Sequence, residues 1–202
     1  MTKPARPTLA ERRAEELRMN IALTARDLFI TDGDTTATVE RICEIVGIAP
    51  RTFHRHFAVK EDVLMPLLRQ TEDIVLDILA QATPDADPVD TLVYAFTAEI
   101  DGRKVPEFDR KFLSLIVTHP QYRLRWLEWG ERLREPVTEF LSGRFALEED
   151  PFLRRLPARL ALETIRHAYI HWVDADSSED FAEVAVLLRR GLTFLLAALP
   201  RR

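Results

Sequence analysis

Apolar positions recur with a period near 3.6 residues along the whole chain, and no stretch alternates apolar and polar residues as a half-buried strand must. That restricts the chain to an all-α fold whose helices are bounded by Gly and Pro. Thr8 followed by Glu11 has the spacing of a capping box and predicts a first helix starting there. Leu17, Ile21, Ala25 and Leu28 form its single apolar stripe, and Asp32–Gly33 stops it. Thr38 is the expected N-cap of a short helix from Val39 to Val46. Gly47, Ile48 and Ala49 then make a tight turn. Pro50 opens a third, brief helix ending near Phe57, at a position where its missing N–H costs nothing. A longer helix is expected over 60–81, interrupted in its second turn by Pro66. The Pro84–Pro88 segment reads as the one clear linker. Helices are expected beyond it near 89–102, 106–118, 121–143, 157–174 and 179–199, punctuated by Pro106, Pro120, Pro151, Pro157 and Pro200.

Composition removes several function classes. With 202 residues, 47% of them hydrophobic, the chain can build a core without disulfide or metal staples. Its longest apolar stretch, Gly191 to Leu199, is far short of the roughly 20 residues a membrane span needs. No apolar segment follows the basic start at Thr2 to Pro7, so a cytoplasmic protein without a membrane partner is expected. The single cysteine, Cys43, excludes a disulfide framework and a Cys-based zinc site, and reads as a small filler where two helices cross. No Walker loop, GxGxxG, HExxH or GxSxG motif occurs, and six glycines leave little for phosphate cradles. Neither an enzyme nor a cofactor is expected. Glu163, His167, His171 and Asp174 lie within about 80° of arc on one helix and are the only foothold for a divalent metal. An apolar set on the opposite side (Ala161, Leu162, Ile165, Ala168, Tyr169, Trp172, Val173) makes that stripe more simply a solvated or interfacial face, and no metal is predicted.

The net charge of −5 argues at first against nucleic acid, but its distribution reverses that. Residues 1–60 carry 10 basic against 8 acidic side chains, and residues 61–202 carry 18 against 25. Arg51, Arg55 and Lys60 meet no acid within their stretch, and His54 and His56 sit among them. A local basic patch on an acidic body can bind phosphate, because screening limits distant charge to about 8–10 Å.

Two short helices joined by a three-residue turn containing Gly have the shape of a helix-turn-helix. Ile42, Val46, Ile48 and Phe53 are expected to lock them together. On the third helix Phe53 and Phe57 fall on the core side, Arg51 and Arg55 opposite, Thr52 and His56 on one flank and His54 on the other. Such a helix suits a major groove: Arg can fork to guanine or phosphate, and Thr can touch a thymine methyl. Lys60 is expected to add a phosphate contact. A two-helix corner carrying solvated charges is the plainer reading of the same geometry.

The stretch from Thr38 to Leu64 resembles the N-terminal domain of TetR-family transcriptional regulators, most specifically through Phe57-x-x-Lys60-Glu61-x-x-Leu64. Similarity at the level of sequence is confined to about residues 10–65; the remainder matches in length and helical architecture. The resemblance implies a helix-turn-helix domain over 1–65 and a ligand-binding and dimerisation domain over 66–202. It also implies a homodimeric repressor, an inverted-repeat operator in double-stranded DNA, and a small-molecule ligand. Thr38, Arg51, Thr52, His54, His56 and Lys60 match the family's usual DNA contacts. Two departures stand out. Ala49 replaces the usual Ser or Thr cap, and His54 replaces a frequent Tyr at a position that touches phosphate, where the imidazole is expected to donate instead. A ligand-requiring activator and a non-DNA-binding interaction module are the alternatives.

Tyr122, Trp126, Trp129, Leu133, Val137 and Phe140 fall within about 80° of arc on the helix expected over 121–143, which Gly130 and Pro136 interrupt. Phe96, Phe108, Phe112, Ile116, Tyr169 and Trp172 are expected to meet them. Core is the bland reading of any one of these. As a set they predict a largely apolar pocket for a hydrophobic or aromatic ligand. The last helix is apolar over more than half its circumference and must be covered twice. Val184, Leu187, Leu188, Gly191 and Leu195 are therefore expected at an isologous dimer interface, where Gly191 admits a partner helix and Leu188→Glu breaks the dimer. Ligand is then expected to change the spacing of two recognition helices held roughly 34–36 Å apart, with Pro66 as the place of bending.

Overall fold

The computed structural model describes residues 8–103, 106–174 and 181–201. Among these the regular structure is helical: α1 Leu9–Asp32, α2 Val39–Val46, α3 Pro50–His56, a 3₁₀ stretch Lys60–Leu64, α4 Met65–Gln81, α5 Pro88–Arg103, α6 Pro106–Thr118, α7 Pro120–Arg132, α8 Arg134–Ser142, α9 Pro151–Asp174 and α10 Phe181–Leu196. The chain divides into two compact units, Met1–Arg69 and Gln70–Arg202.

In the first unit α1 packs on α2 and on the 3₁₀ stretch, and α2 packs on α3. Its core is Ile21, Ala25, Phe29, Ile42, Cys43, Phe53, Phe57, Val63 and Leu64, all buried. The local signals act as the residues suggest. Thr8 and Glu11 form the capping box of α1. Gly33 ends α1 with φ 75° and Gly47 ends α2 with φ 79°, a left-handed conformation that carries a steric cost for any side chain with a Cβ. Pro66 departs from expectation. Its ring clashes with the carbonyl four residues back, at Asp62, so residues 60–64 tighten to 3₁₀ and the α-helix begins only at Met65. Pro66 thus occupies the first turn of α4 rather than interrupting a longer helix.

In the second unit α9 packs on α8, α10 and α6, α10 on α5, and α6 on α5 and α7. The helix expected over 121–143 is two helices. Pro136 cannot donate to the carbonyl of Arg132 and crowds it, so α7 ends there and α8 restarts with the proline among its first-turn positions. The helix expected from 157 begins at Pro151, because Asp150 caps it: its Oδ1 accepts from the N–H of Phe152 and of Leu153, each at 3.0 Å. Pro157 lies inside α9. The last expected helix begins over residues that lie outside the described ones and is described from Phe181.

Two of the expectations about α10 meet a different placement within the chain. Val184 and Leu188 have 0% exposure within the single subunit, as has Leu192, so they belong to the subunit's own core against α5 and α9. Gly191 serves the same intramolecular contact: a Cβ there would lie 2.5 Å from Thr164 Cγ2 of α9. The exposed apolar face of α10 is instead at Val186 and Phe194, the latter 85% exposed, with Leu187 half-buried beside them. Leu195 is half-buried.

Candidate nucleic-acid interface

The recognition surface is built from the turn outward. Gly47 and Ile48 both donate their N–H to the Cys43 carbonyl, at 2.9 and 3.0 Å, which reverses the chain in three residues. Burial raises the Cys43 thiol pKa, with Glu40 adding to it, so this side chain stays a protonated core filler. Pro50 occupies the start of α3, and Ala49 supplies no side-chain cap. Phe53 and Phe57 are buried with ring centroids 5.2 Å apart and hold α3 from behind.

This anchoring presents Arg51, His54 and Arg55 to solvent. Neither arginine is in an ion pair among the described residues. The edge of the His54 ring meets Phe53 at 5.4 Å between centroids, which steadies the imidazole at the surface. Thr52 is half-buried on the flank of α3. Thr38 is exposed and caps α2, its Oγ1 accepting from the Arg41 N–H at 3.2 Å and leaving its own O–H available.

Two of the expected DNA contacts are placed differently. His56 is half-buried with Nε2 inside the unit, turned away from the face of Arg51 and Arg55. Burial lowers its pKa first, and the Arg55 and Arg18 charges lower it further against the opposing pull of Glu15. Lys60 donates to the carbonyls of Thr35 at 2.8 Å and Ala37 at 3.2 Å. Arg18 and Arg41 are functional supports that periodicity alone misses. Arg18 donates to the His56 carbonyl at 3.1 Å, at the end of α3. Arg41 forks onto Asp32 and ties α2 to the end of α1. Both contacts are tertiary, and only the opposite charges of Asp32 and Arg41 across the Gly33 turn hint at one of them.

Within the second unit the aromatic set is partly assembled. Phe96, Ile116, Tyr122, Trp129, Phe140 and Trp172 are buried, and Phe112, Trp126 and Tyr169 half-buried. The Tyr169 hydroxyl donates to the Phe96 carbonyl, and the Tyr169 and Trp172 rings lie 6.5 and 5.1 Å from Phe181. Phe140 is engaged elsewhere, under the Arg144 guanidinium at 3.9 Å, so the break between α7 and α8 dissolves the single six-residue stripe. A polar chain crosses this region: Thr71 donates to Glu99, and Arg103 bridges Glu99 at 3.0 Å and the buried Asp109 at 2.8 Å. Burial and these carboxylates hold the Tyr169 hydroxyl well above the usual phenol pKa, so it remains a donor. The Glu163, His167, His171, Asp174 stripe does not converge. Glu163 pairs with Arg166 and His167, and no group of three metal-binding side chains is found among the described residues.

A short helix held by two buried aromatics, with arginines outward and unpaired among the described residues, is the geometry of a helix-turn-helix of the kind that enters a DNA groove. Residues 21–65 match the family model described as bacterial regulatory proteins, tetR family. The first unit thus carries a tetR-family helix-turn-helix domain, and the chain as a whole is similar to transcriptional regulators of that family. It is 25% identical to the HTH-type transcriptional regulator TcmR of Streptomyces glaucescens over 158 residues, covering 75% of this chain and 70% of that one. Its fold is similar to that of a protein from Mesorhizobium loti assigned to the TetR family, with TM-score 0.64, 19% identity, and 93% and 98% of the two chains covered. It is also similar to the Thermus thermophilus repressor FadR solved with lauroyl-CoA, with TM-score 0.61, 23% identity, and 89% and 93% covered. No helix among the described residues is long and apolar enough to cross a membrane.

Proposed function

We propose that this chain is a homodimeric repressor that reads an inverted-repeat operator through α3 and leaves it when a small, largely hydrophobic ligand enters the second unit. The observation that carries the DNA reading is the outward pair Arg51 and Arg55, one turn apart on a helix whose opposite side is locked by Phe53 and Phe57. Arg51 and Arg55 serve as groove and phosphate contacts, His54 and Thr38 as phosphate donors, and Thr52 as the flank that meets a base edge. Leu160, Leu187 and Phe194, which flank the Thr164–Gly191 crossing of α9 and α10, are the residues we assign to the dimer interface. Phe96, Tyr169 and Trp172 with Phe181 are the part of the aromatic set best placed to meet a ligand. The lauroyl-CoA held by FadR supports a long apolar ligand as one this fold can accommodate.

The test is selection of bound DNA from a random duplex pool at physiological salt, with the Arg51→Ala/Arg55→Ala protein as control. An inverted repeat enriched by the wild type and absent with the control is expected. A folded dimer that enriches nothing contradicts the reading.

A further inference from the structure

Helices α5, α6 and α9 meet beside the Tyr169, Trp172 and Phe181 rings, and the polar groups there are largely satisfied. The Tyr169 hydroxyl donates to the Phe96 carbonyl of α5, and Arg110 Nε of α6 donates to the Trp172 carbonyl of α9 at 2.9 Å. Arg103 is shared between Glu99, at 3.0 Å, and the buried Asp109, at 2.8 Å. The Trp172 indole is the exception. It is 2% exposed, its ring meets Phe181 edge-on at 5.1 Å between centroids, and its Nε1–H has no acceptor among the described residues. Trp129 Nε1 is in the same condition, but no ring contact among the described residues joins Trp129 to another aromatic. Trp172 alone of the two combines an open donor with aromatic neighbours.

We propose that Trp172 Nε1 is a hydrogen-bond donor of the ligand site, and that the ligand is an uncharged aromatic molecule presenting a carbonyl oxygen to it. A buried N–H without an acceptor is unfavourable, and a phenylalanine would fill much of the same space without that penalty. The indole nitrogen therefore marks where an acceptor arrives on a bound molecule, and the Tyr169 and Phe181 rings supply faces and edges for an aromatic body. A carboxylate is disfavoured by its surroundings. It would enter beside Glu99 and Asp109, whose shared guanidinium, Arg103, is already engaged. A cation brings no acceptor. This inference rests on the reading of the second unit as ligand-binding, and names the chemistry of what it binds.

Acetophenone, ethylbenzene and benzoate are close in size and differ in the group attached to the ring. Each is titrated into the isotopically labelled full-length protein, with the Trp172 indole resonance assigned through Trp172→Phe. Acetophenone is expected to move the Trp172 indole proton downfield saturably, whereas ethylbenzene and benzoate do not. In Trp172→Phe the preference for acetophenone over ethylbenzene is expected to fall by about 2- to 10-fold, the worth of one hydrogen bond. A resonance that acetophenone leaves unmoved at its solubility limit, one that ethylbenzene or benzoate moves downfield as far, or a preference unchanged by Trp172→Phe overturns the proposal. If Trp172→Phe does not fold, the Overhauser contact of the indole proton with the Phe181 ring assigns the resonance, and the wild-type titration decides alone. Should acetophenone bind as expected while no duplex is selected, the regulatory reading fails and the assignment of Trp172 stands.

Discussion

Arg51 and His56 sit five residues apart on the same short helix and differ in everything that matters for chemistry. Arg51 is exposed and in no ion pair among the described residues; His56 is half-buried with Nε2 inside the unit, and burial, then the Arg55 and Arg18 charges, lower its pKa. Replacing Arg51 with Ala is expected to cost about 1–3 kcal/mol on the selected duplex, roughly 5- to 150-fold in affinity, with relaxed specificity at one base position. For His56 the sign follows from its depressed pKa. The unfolded chain takes up its proton near the ordinary value of 6.5, and the folded chain only at lower pH. Stability associated with the neutral imidazole is therefore fully present above about pH 6.5 and is lost as pH falls from there through the folded value. Denaturant melts at pH 7.5 and 5.5 are expected to show a smaller acid loss in His56→Gln than in the wild type. A helical projection could not separate Thr52 from His56, since both share a flank; the packing of α1, with Arg18 and Glu15, separates them.

At the scale of elements, caps and breaks were the most legible features, because they depend on residues within one turn of each other. Thr8 with Glu11, Thr38, Gly33, Gly47 and Pro50 all act where their local chemistry puts them. The break at Leu133 was harder, because Pro136 ends the helix four residues upstream of itself rather than at its own position. The Asp150–Pro151 pair caps α9 well before the start expected at 157, and the equivalent Asp87–Pro88 pair opens α5 with Asp87 Oδ1 accepting from the Val89 N–H at 2.8 Å. Gly191 carries a prediction of its own. The Thr164 hydroxyl donates to the Leu160 carbonyl at 2.9 Å and fixes the rotamer whose methyl a Cβ at 191 would strike. Overpacking of about 1–3 kcal/mol outweighs the helix propensity gained, about 1 kcal/mol, so Gly191→Ala is expected to destabilise the fold. In a Thr164→Ser background, which lacks the methyl, the same change is expected to be neutral or stabilising in thermal melts.

For the whole molecule the apolar wealth of α10 was readable, but which half the chain itself covers was not. Periodicity shows that both sides need cover; only the fold of one subunit shows that Val184, Leu188 and Leu192 are already covered by α5 and α9. The two classes of residue should part in sedimentation. Phe194→Glu is expected to give a folded monomer, whereas Leu188→Glu places a charge at a fully buried site and should cost more than about 4 kcal/mol, enough to unfold the second unit. The aromatic residues meant for a pocket were identifiable by type, but not their grouping, since Phe140 is claimed by Arg144 and Phe181 joins Tyr169 and Trp172 from a helix read only for dimerisation. The central claim is that α3 reads DNA sequence through its outward arginines. Equilibrium binding of the wild type and Arg51→Ala to the selected duplex and to a scrambled one tests it most directly. The account predicts that the substitution weakens the selected complex at least fivefold more than the scrambled one; equal weakening of both would mean that Arg51 contributes charge alone and that α3 does not read the sequence.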